Sequence, residues 1–550
     1  MTSFSSSNPL VLPRDAHGMR RLPSLPAWWS CLLMVALWFG CTAWLRPLAI
    51  PDEGRYVGVA WEMLRSGDWL VPTLDGLPFF HKPPLFYWIT AGSMAVFGPS
   101  VAAARAAAWL ASTVLVTGLF VFTRRWGSVR QAWITVAVLA TVPLFYGAAQ
   151  YANMDLLVAA CISVAILLFA HALLARSGGQ AYRGALAAAF VAAALGVLAK
   201  GLIGVALPLL VLGAWGLATR RLGRVLTLLI WPPGWALFAV VATPWFMAMQ
   251  QRFPGFAHYF FVVQQVQRFA STGFNNPQPR WFYPVALLLL TLPWSPWLAA
   301  AWRAPRRSAS DLVSSELRTL MWVWLGVTVA FFSVPSSKLV GYILPALAPL
   351  AFLMADGACR VVDEAPAHAA SPTRLSVRSA RSWLAATTLA AAVACVALTV
   401  TAHFLQPKSR QVLAEQLRML KRPGEPVFFL DNYYYDVSFY ARLETPVAVV
   451  DPWRPAEVAQ DSWRRELVDA SQFAADRPAP RLLLPAAFAP ALCRAHTSWV
   501  IGPWPAASAA PPWLAGLMPV AQSGETALWR VDASRPGLRT ALHCDGSPAL

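Results

Sequence analysis

Acidic residues are scarce in this sequence. The 550-residue chain has 26 Asp and Glu against 44 Lys and Arg, and charged residues make up only 13% of it. Ordinary soluble domains carry about a quarter, so a soluble enzyme of this length is excluded. Between Asp75 and Asp311 a single acidic residue occurs, Asp155. Cysteine is sparse as well, seven in all. Cys31, Cys41, Cys161, Cys359 and Cys395 lie in or beside apolar runs and read as packing residues. Cys493 and Cys544 are the tail's only cysteines; an oxidising compartment would permit a disulfide between them, but two lone cysteines do not establish one. Several motifs are missing: no Walker A sequence, no G-x-G-x-x-G, no C-x-x-C and no H-E-x-x-H. Nucleotide-driven transport and a thiolate zinc site therefore have no support.

Apolar sequence is abundant instead. Hydrophobic residues reach 57% and aromatics 12%, including 27 Trp, which excludes disorder. Crossing a bilayer takes about 20 mostly apolar residues. About eleven such runs are found, near 27–48, 101–123, 131–150, 155–175, 184–199, 201–219, 225–249, 281–301, 317–335, 339–357 and 383–404. The chain is thus expected to be an α-helical polytopic membrane protein. Short β-like runs at 427–430, 447–450, 481–484 and 527–531 predict a small α/β domain over 405–550.

The formal charge of +18 is an orientation signal. Up to residue 404 there are 29 basic and 12 acidic residues; beyond it, 15 and 14. A nucleic-acid partner is excluded, because the excess lies among the apolar helices. Arg14, Arg20 and Arg21 precede the first run, the pattern of an uncleaved signal-anchor. Arginine-rich loops at 124–130, 176–183, 220–224, 303–307 and 360–381 then alternate onto one face, provided 84–98 is an interfacial helix. This predicts a cytoplasmic tail (1–26), a membrane domain (27–404) and a periplasmic C-terminal domain (405–550), in the inner membrane if the cell is bacterial. Loops 49–100 and 250–280 would face the periplasm.

Candidate chemistry collects on that face. Asp52 and Glu53 follow the first run; adjacent carboxylates there can act as general base, as metal ligands or as anchors for cations. The plainer alternative is a helix start, with Asp52 as cap and Glu53 in the first turn. Asp155 is either a cap or a functional carboxylate at a membrane edge. Lys82, Lys200, Arg268 and Lys338 break the positive-inside pattern, and cations converging there suit a lipid phosphate; each alone could be snorkelling to headgroups. His81 and His258 are isolated histidines.

At these residues the chain resembles the bacterial aminoarabinose transferase/protein O-mannosyltransferase group, glycosyltransferases of GT-C architecture. The likeness rests on Asp52-Glu53-Gly54-Arg55-Tyr56, Glu62-Met63-Leu64, Ser66-Gly67-Asp68-Trp69, Lys82-Pro83-Pro84-Leu85-Phe86-Tyr87-Trp88, Asp155, Lys200-Gly201, Trp281-Phe282-Tyr283, Leu292-Pro293-Trp294 and Ser337-Lys338 with Tyr342-Ile343-Leu344-Pro345. Tyr433-Tyr434-Tyr435-Asp436 extends it into the tail. The resemblance implies about 11–13 transmembrane helices. It also implies inverting transfer of a sugar from a polyprenyl (undecaprenyl) phosphate carrier to a periplasmic acceptor, most simply lipid A or another lipid or glycan. A protein acceptor, or a lipid or sugar flippase on the same helices, is the alternative. Asp52, Glu53 and Asp155 would be the catalytic carboxylates. Lys82, Lys200, Tyr342, Arg268 and Lys338 would bind the donor phosphate, and Arg55 and Tyr56 the substrate. Gln264 and Gln265 stand where relatives carry an acidic/His pair, which argues against a divalent metal and leaves His81 as the remaining metal candidate.

Overall fold

In the computed structural model, residues 26–267, 276–303, 312–364, 377–404, 409–474, 481–505 and 511–544 are described. Arg268 and several of the other arginines named above (Arg14, Arg20, Arg21, Arg306, Arg307, Arg374) lie outside them.

Each of the eleven apolar runs becomes a helix or a pair of helices. Two of the pairs arise where proline removes an amide and restarts the helix. The helix Val129–Thr141 bends by 67° into Pro143–Ala149, and Leu222–Leu229 bends by 49° into Pro232–Arg252. Among the described residues, five single helices are long and apolar enough to cross a bilayer, or seven spans if each bent pair counts as one. The expected count of 11–13 is not reached by this measure. Ala27–Gly40 and Ile203–Ala218 have only 14 and 16 residues, the 281–301 run breaks between Phe282–Leu290 and Pro296–Arg303, and Leu312–Ser333 carries Glu316 and Arg318. Leu85–Phe97 is a separate 13-residue apolar helix.

The middle of the bundle is the helix Met154–Ser177, buried along most of its length. Its small residues (Ala159, Ala160, Ala165, Ala170, Ala172) let neighbours approach closely. It runs antiparallel to Arg183–Lys200 on one side and packs beside Ala106–Trp126 on another. These helices have chemically different ends. At one end Arg125 donates to Gln180 at 2.6 Å, Arg130 to Asp363 at 2.5 Å and Arg221 to Glu316 at 2.8 Å, so the basic loops meet one another. At the other end lie Arg105, Asp155 and Lys200. The two ends are about 36 Å apart for a 24-residue helix at 1.5 Å per residue.

The tail is a six-stranded mixed sheet of order β5-β4-β3-β6-β8-β7, counting β1 (Thr73–Leu74) and β2 (Leu77–Pro78) in the first loop. β3 (Val427–Leu430), β4 (Ala448–Val450), β5 (Leu482–Leu483) and β6 (Thr497–Pro503) are parallel; β7 (Ala521–Ser523) and β8 (Thr526–Asp532) are antiparallel. β3, β4, β5 and β8 match the four predicted runs. β6, which joins the parallel and antiparallel halves, was not predicted. Side chains alternate across the sheet. Phe428, Leu430, Val450, Val500 and Trp529 pack on the helix Pro485–Cys493. Phe429, Val449, Trp499 and Ile501 belong to the core that continues into the membrane half. Cys493 and Cys544 form a disulfide between residues 51 apart in sequence.

The first loop locks onto this sheet. Glu62 accepts hydrogen bonds from Thr73 Oγ1 (2.8 Å) and from the Asp75 (2.7 Å) and Gly76 (2.8 Å) amides, which fixes the β1–β2 hairpin. Asp75 then accepts from the Val447 amide at 2.8 Å, and Arg481 donates to the Asp75 carbonyl at 2.9 Å. Burial, reinforced by Glu62, lifts the Asp75 carboxyl to about 8, against the weaker pull of the Val447 amide, Arg481 and Arg65. A carboxyl raised on folding holds its proton better in the native state, so its contribution falls as pH rises from about 4 towards 8. Thermal melts of the full chain should therefore show stability decreasing over that window, and Asp75→Asn should flatten the decrease. An unchanged slope in the variant would assign it to other groups.

Candidate active site

The helix Asp52–Ser66 carries the Asp-Glu motif, and its two carboxylates have separate fates. Glu53 is fully buried in a cage of arginines. Arg46 Nη1 donates to it at 2.5 Å, Arg105 Nε and Nη2 at 2.9 and 3.1 Å, and the Ala49 and Ala152 amides at 2.7 Å each. Those five donors saturate the carboxylate. Burial alone would raise its pKa, but Arg105 and Arg46 override this and hold it at about 2. Arg105 is saturated too, since its remaining N–H groups go to the carbonyls of Ala43, Arg46 and Pro47. Glu53 is therefore a tie between the end of the first helix, the start of Ala106–Trp126 and the 150–152 segment, with no lone pair left for a substrate.

Asp52 is the open member. It sits in the first helical turn with a side chain 36% exposed. Its neighbours are Arg55 Nη1 at 3.5 Å and the Tyr151 hydroxyl at 3.5 Å. It does not cap the helix, since Pro51 holds the cap position. The other face of this helix meets the tyrosine segment 433–436. Gly54 permits that approach, because a Cβ there would come within 3.0 Å of Tyr435 Cβ and 3.1 Å of the Asp436 amide.

Asp155 is not the cap of its helix either; Asn153 is, accepting from the Asp155 amide at 3.0 Å. Asp155 instead forms an ion pair with Lys200. Lys200 ends its helix because the chain reverses at Gly201 (φ +100°), and its ammonium lies 4.2 Å from the centre of the Tyr342 ring, a cation–π contact. Gly341 makes room for the pair, since a Cβ there would fall 2.4 Å from Asp155 Oδ2.

These groups line one cavity of about 400 Å³. Its polar wall consists of Lys82, Asp155, Lys200, Gln264, Gln265, Ser337 and Tyr342; its apolar wall includes Val158, Ile162, Ile203, Ala206, Phe331 and Phe332. Two lysines against one carboxylate leave a net positive lining at the polar end. Such a space matches an amphiphile with an anionic head and a hydrocarbon body.

Other predicted residues fall outside the cavity wall. Lys338 is buried and donates to the Gln278 (2.8 Å) and Pro335 (2.5 Å) carbonyls, so it braces the 276–278 and 335–338 segments. His81 is buried and stacks on Phe79 at 4.6 Å. Among the described residues no group of three or more His, Cys, Asp or Glu is arranged to hold a metal ion. Arg268 lies beyond the described residues. Arg55 and Tyr56 lie on the Asp52 helix, where Arg55 pairs with Glu466 of the tail at 3.1 Å. Burial pushes the Glu466 carboxyl up, opposed chiefly by Arg55. Tyr56 is buried, which raises its hydroxyl pKa, and it feels the charges of both Asp52 and Asp155.

Sequence reasoning missed Arg46, Arg105, Tyr151 and Glu466. The two arginines carried a readable signal, being isolated cations at the apolar run ends opposite the basic loops. Glu466 carried none, because its partner is more than 400 positions away.

Comparison with known proteins places the chain beside membrane glycosyl transferases. Residues 44–260 match the family described as dolichyl-phosphate-mannose-protein mannosyltransferase, PMT. The undecaprenyl phosphate-alpha-4-amino-4-deoxy-L-arabinose arabinosyl transferase of Shewanella sediminis is 36% identical over 317 residues, 57% of this chain and 56% of the relative. The protein of the same name from Pectobacterium carotovorum subsp. carotovorum is 33% identical over 370 residues, 66% and 64%. The matched segment thus spans less than two thirds of these relatives' length. The crystal structure of ArnT from Cupriavidus metallidurans bound to undecaprenyl phosphate superposes with a TM-score of 0.71 over 92% of this chain and 98% of that one, at 24% identity. At that identity the likeness is one of fold, and it extends through the tail domain. The chain is a multi-pass membrane protein of the fold seen in that structure.

The cage gives a stability prediction. Arg105→Met leaves Glu53 buried with a single arginine, and breaking a buried pair in this way costs about 3–5 kcal/mol. A marked drop in unfolding temperature in detergent is expected. The double variant Arg105→Met/Glu53→Leu should recover part of it, because the uncompensated charge is gone.

Proposed function

We propose that this protein is an inverting glycosyltransferase that moves a sugar from a polyprenyl phosphate carrier, undecaprenyl phosphate in a bacterium, to an acceptor hydroxyl or phosphate at the outer face of the inner membrane. The observation that carries this reading is the cavity: a cationic head region of Lys82, Lys200 and Tyr342 above an apolar body, at the same end of the bundle as the exposed carboxylate of Asp52. The names of the relatives point to 4-amino-4-deoxy-L-arabinose as the sugar, and lipid A or a similar glycolipid is the acceptor we propose.

In this scheme the acceptor oxygen attacks the anomeric carbon from the face opposite the phosphate. The bond from that carbon to the phosphate oxygen breaks, and the electron pair leaves with the carrier. Asp52 orients the acceptor and takes its proton. Lys82 and Lys200 stabilise the charge that gathers on the departing phosphate, with Tyr342 holding Lys200 in place. Asp155 fixes the Lys200 ammonium by direct pairing. Glu53 and Lys338 hold the frame.

The orientation is part of the proposal. The basic loops that meet through Arg125, Arg130 and Arg221 would lie in the cytoplasm. The site and the tail would face the periplasm, where the Cys493–Cys544 bond is chemically at home.

Asp52→Asn keeps the size and removes the proton acceptor. It should reduce transfer from undecaprenyl-phosphate-linked aminoarabinose to lipid A by about 10²–10⁴-fold, with donor KM little changed. Transfer at the wild-type rate would remove Asp52 from this role. Gly341→Ala should act on the donor side. By displacing Asp155 from Lys200 it should raise donor KM more than it lowers kcat, which initial-rate kinetics in proteoliposomes would show.

A further inference from the structure

The helix that carries Asp52 is closed on its outer side by the C-terminal domain. Four contacts meet at Arg55. Its Nε lies 3.1 Å from Glu466 Oε2, on the tail helix Trp463–Ser471, and its Nη1 lies 3.5 Å from Asp52 Oδ1. Its guanidinium sits over the rings of Tyr435 (5.0 Å) and Tyr56 (5.7 Å). The Tyr435 hydroxyl donates to the same Glu466 oxygen at 2.6 Å. Exposure rises along this chain of groups, from 7% at Glu466 through 16% at Arg55 to 36% at Asp52.

We propose that Glu466 is a positioning residue for the transfer reaction: by holding the Nε edge of Arg55, it keeps that cation from closing on Asp52. The proposal rests on the reading of Asp52 as the acceptor-side carboxylate. An arginine one turn along a helix from an aspartate can fold onto it, and arginine–carboxylate pairs favour two parallel hydrogen bonds of about 2.7–2.9 Å. A carboxylate engaged in that way has a lone pair of each oxygen taken and its negative charge neutralised, so it is a much weaker acceptor for the proton of an incoming hydroxyl. Here Glu466 and the Tyr435 ring hold the guanidinium, and the Asp52 contact stretches to 3.5 Å. Asp52 keeps an oxygen for the acceptor and still has a cation beside it. The C-terminal domain is then part of the active assembly, because it supplies the group that sets the reach of an arginine in the membrane half.

The test uses the full chain in proteoliposomes, with undecaprenyl-phosphate-linked 4-amino-4-deoxy-L-arabinose and lipid A as probes. Glu466→Gln should lower kcat by about ten- to a hundredfold, the scale of a small misplacement at a reacting centre, while donor KM stays within about twofold. Glu466→Asp should recover part of the loss. In an Arg55→Ala background, Glu466→Gln should have little further effect on kcat, since the two act through one contact. Arg481→Ala removes a different bridge between the tail and the first loop; it should lower the unfolding temperature and leave kcat near wild type. Wild-type kcat in Glu466→Gln, or equal kcat losses in Glu466→Gln and Arg481→Ala, would overturn the positioning role. If Glu466→Gln does not fold, Tyr435→Phe takes its place. It keeps the ring under Arg55 and removes the hydroxyl that holds Glu466, so a several-fold kcat loss is expected and an unchanged kcat overturns the proposal. Asp52→Asn in the same assay separates the two ideas. If it is inactive while Glu466→Gln is fully active, only the positioning role fails; if Asp52→Asn is fully active, the reading of the site fails with it.

Discussion

Everything at the working end of the bundle hangs on one buried carboxylate. Glu53 has no contact with water, and its charge persists because two arginines and two amides surround it. Removing ions from water costs several kcal/mol each, so such a cluster stays in place only when its geometry satisfies nearly every lone pair and proton. Here it does. The result fixes where the helix Asp52–Ser66 begins, and so where Asp52 stands. It also fixes the 150–152 segment, and with it the start of the helix that presents Asp155. One saturated residue thereby sets the places of two unsaturated ones.

The second constraint is the pairing of Asp155 with Lys200 above the Tyr342 ring. A charged residue at a membrane edge is costly unless it is paired. The pair, the aromatic face and the absence of a side chain at Gly341 form a compact unit, and that unit leaves the remaining cavity wall free for hydrocarbon. The same residues that make the charges tolerable also give the cavity a polar end and an apolar end, which lets a single space take a lipid-linked anion.

Much of this was legible in the sequence for identifiable reasons. Hydrophobic runs revealed the helices because a bilayer demands length and apolarity. The solitary Asp155 stood out because nothing acidic surrounds it in sequence, and Lys82 and Lys200 stood out by lying opposite the arginine loops. Four strands of the tail showed their β character locally. What stayed hidden depends on contacts between distant positions. Glu53 and Asp52 are neighbours in sequence, and only the fold shows that one faces arginines and the other solvent. Lys338 reads like Lys200 until its carbonyl partners are seen. The central strand β6 was overlooked because it lies in a stretch rich in Ala and Pro, and it is held in the sheet by pairing on both sides. Runs of borderline length, such as Ala27–Gly40, show that hydropathy finds apolar segments more reliably than it counts crossings.

The two-sided sheet of the tail bears on how such proteins diverge. One of its faces is private, packed on its own helix, while the other is shared with the membrane half through Phe429, Val449, Trp499 and Ile501. A module joined by a linker can be exchanged between proteins as a cassette. This one cannot, because half of its interior is completed by residues encoded hundreds of positions earlier. The tail and the membrane half must therefore change together, and a substitution on one side of that shared face calls for a matching one on the other.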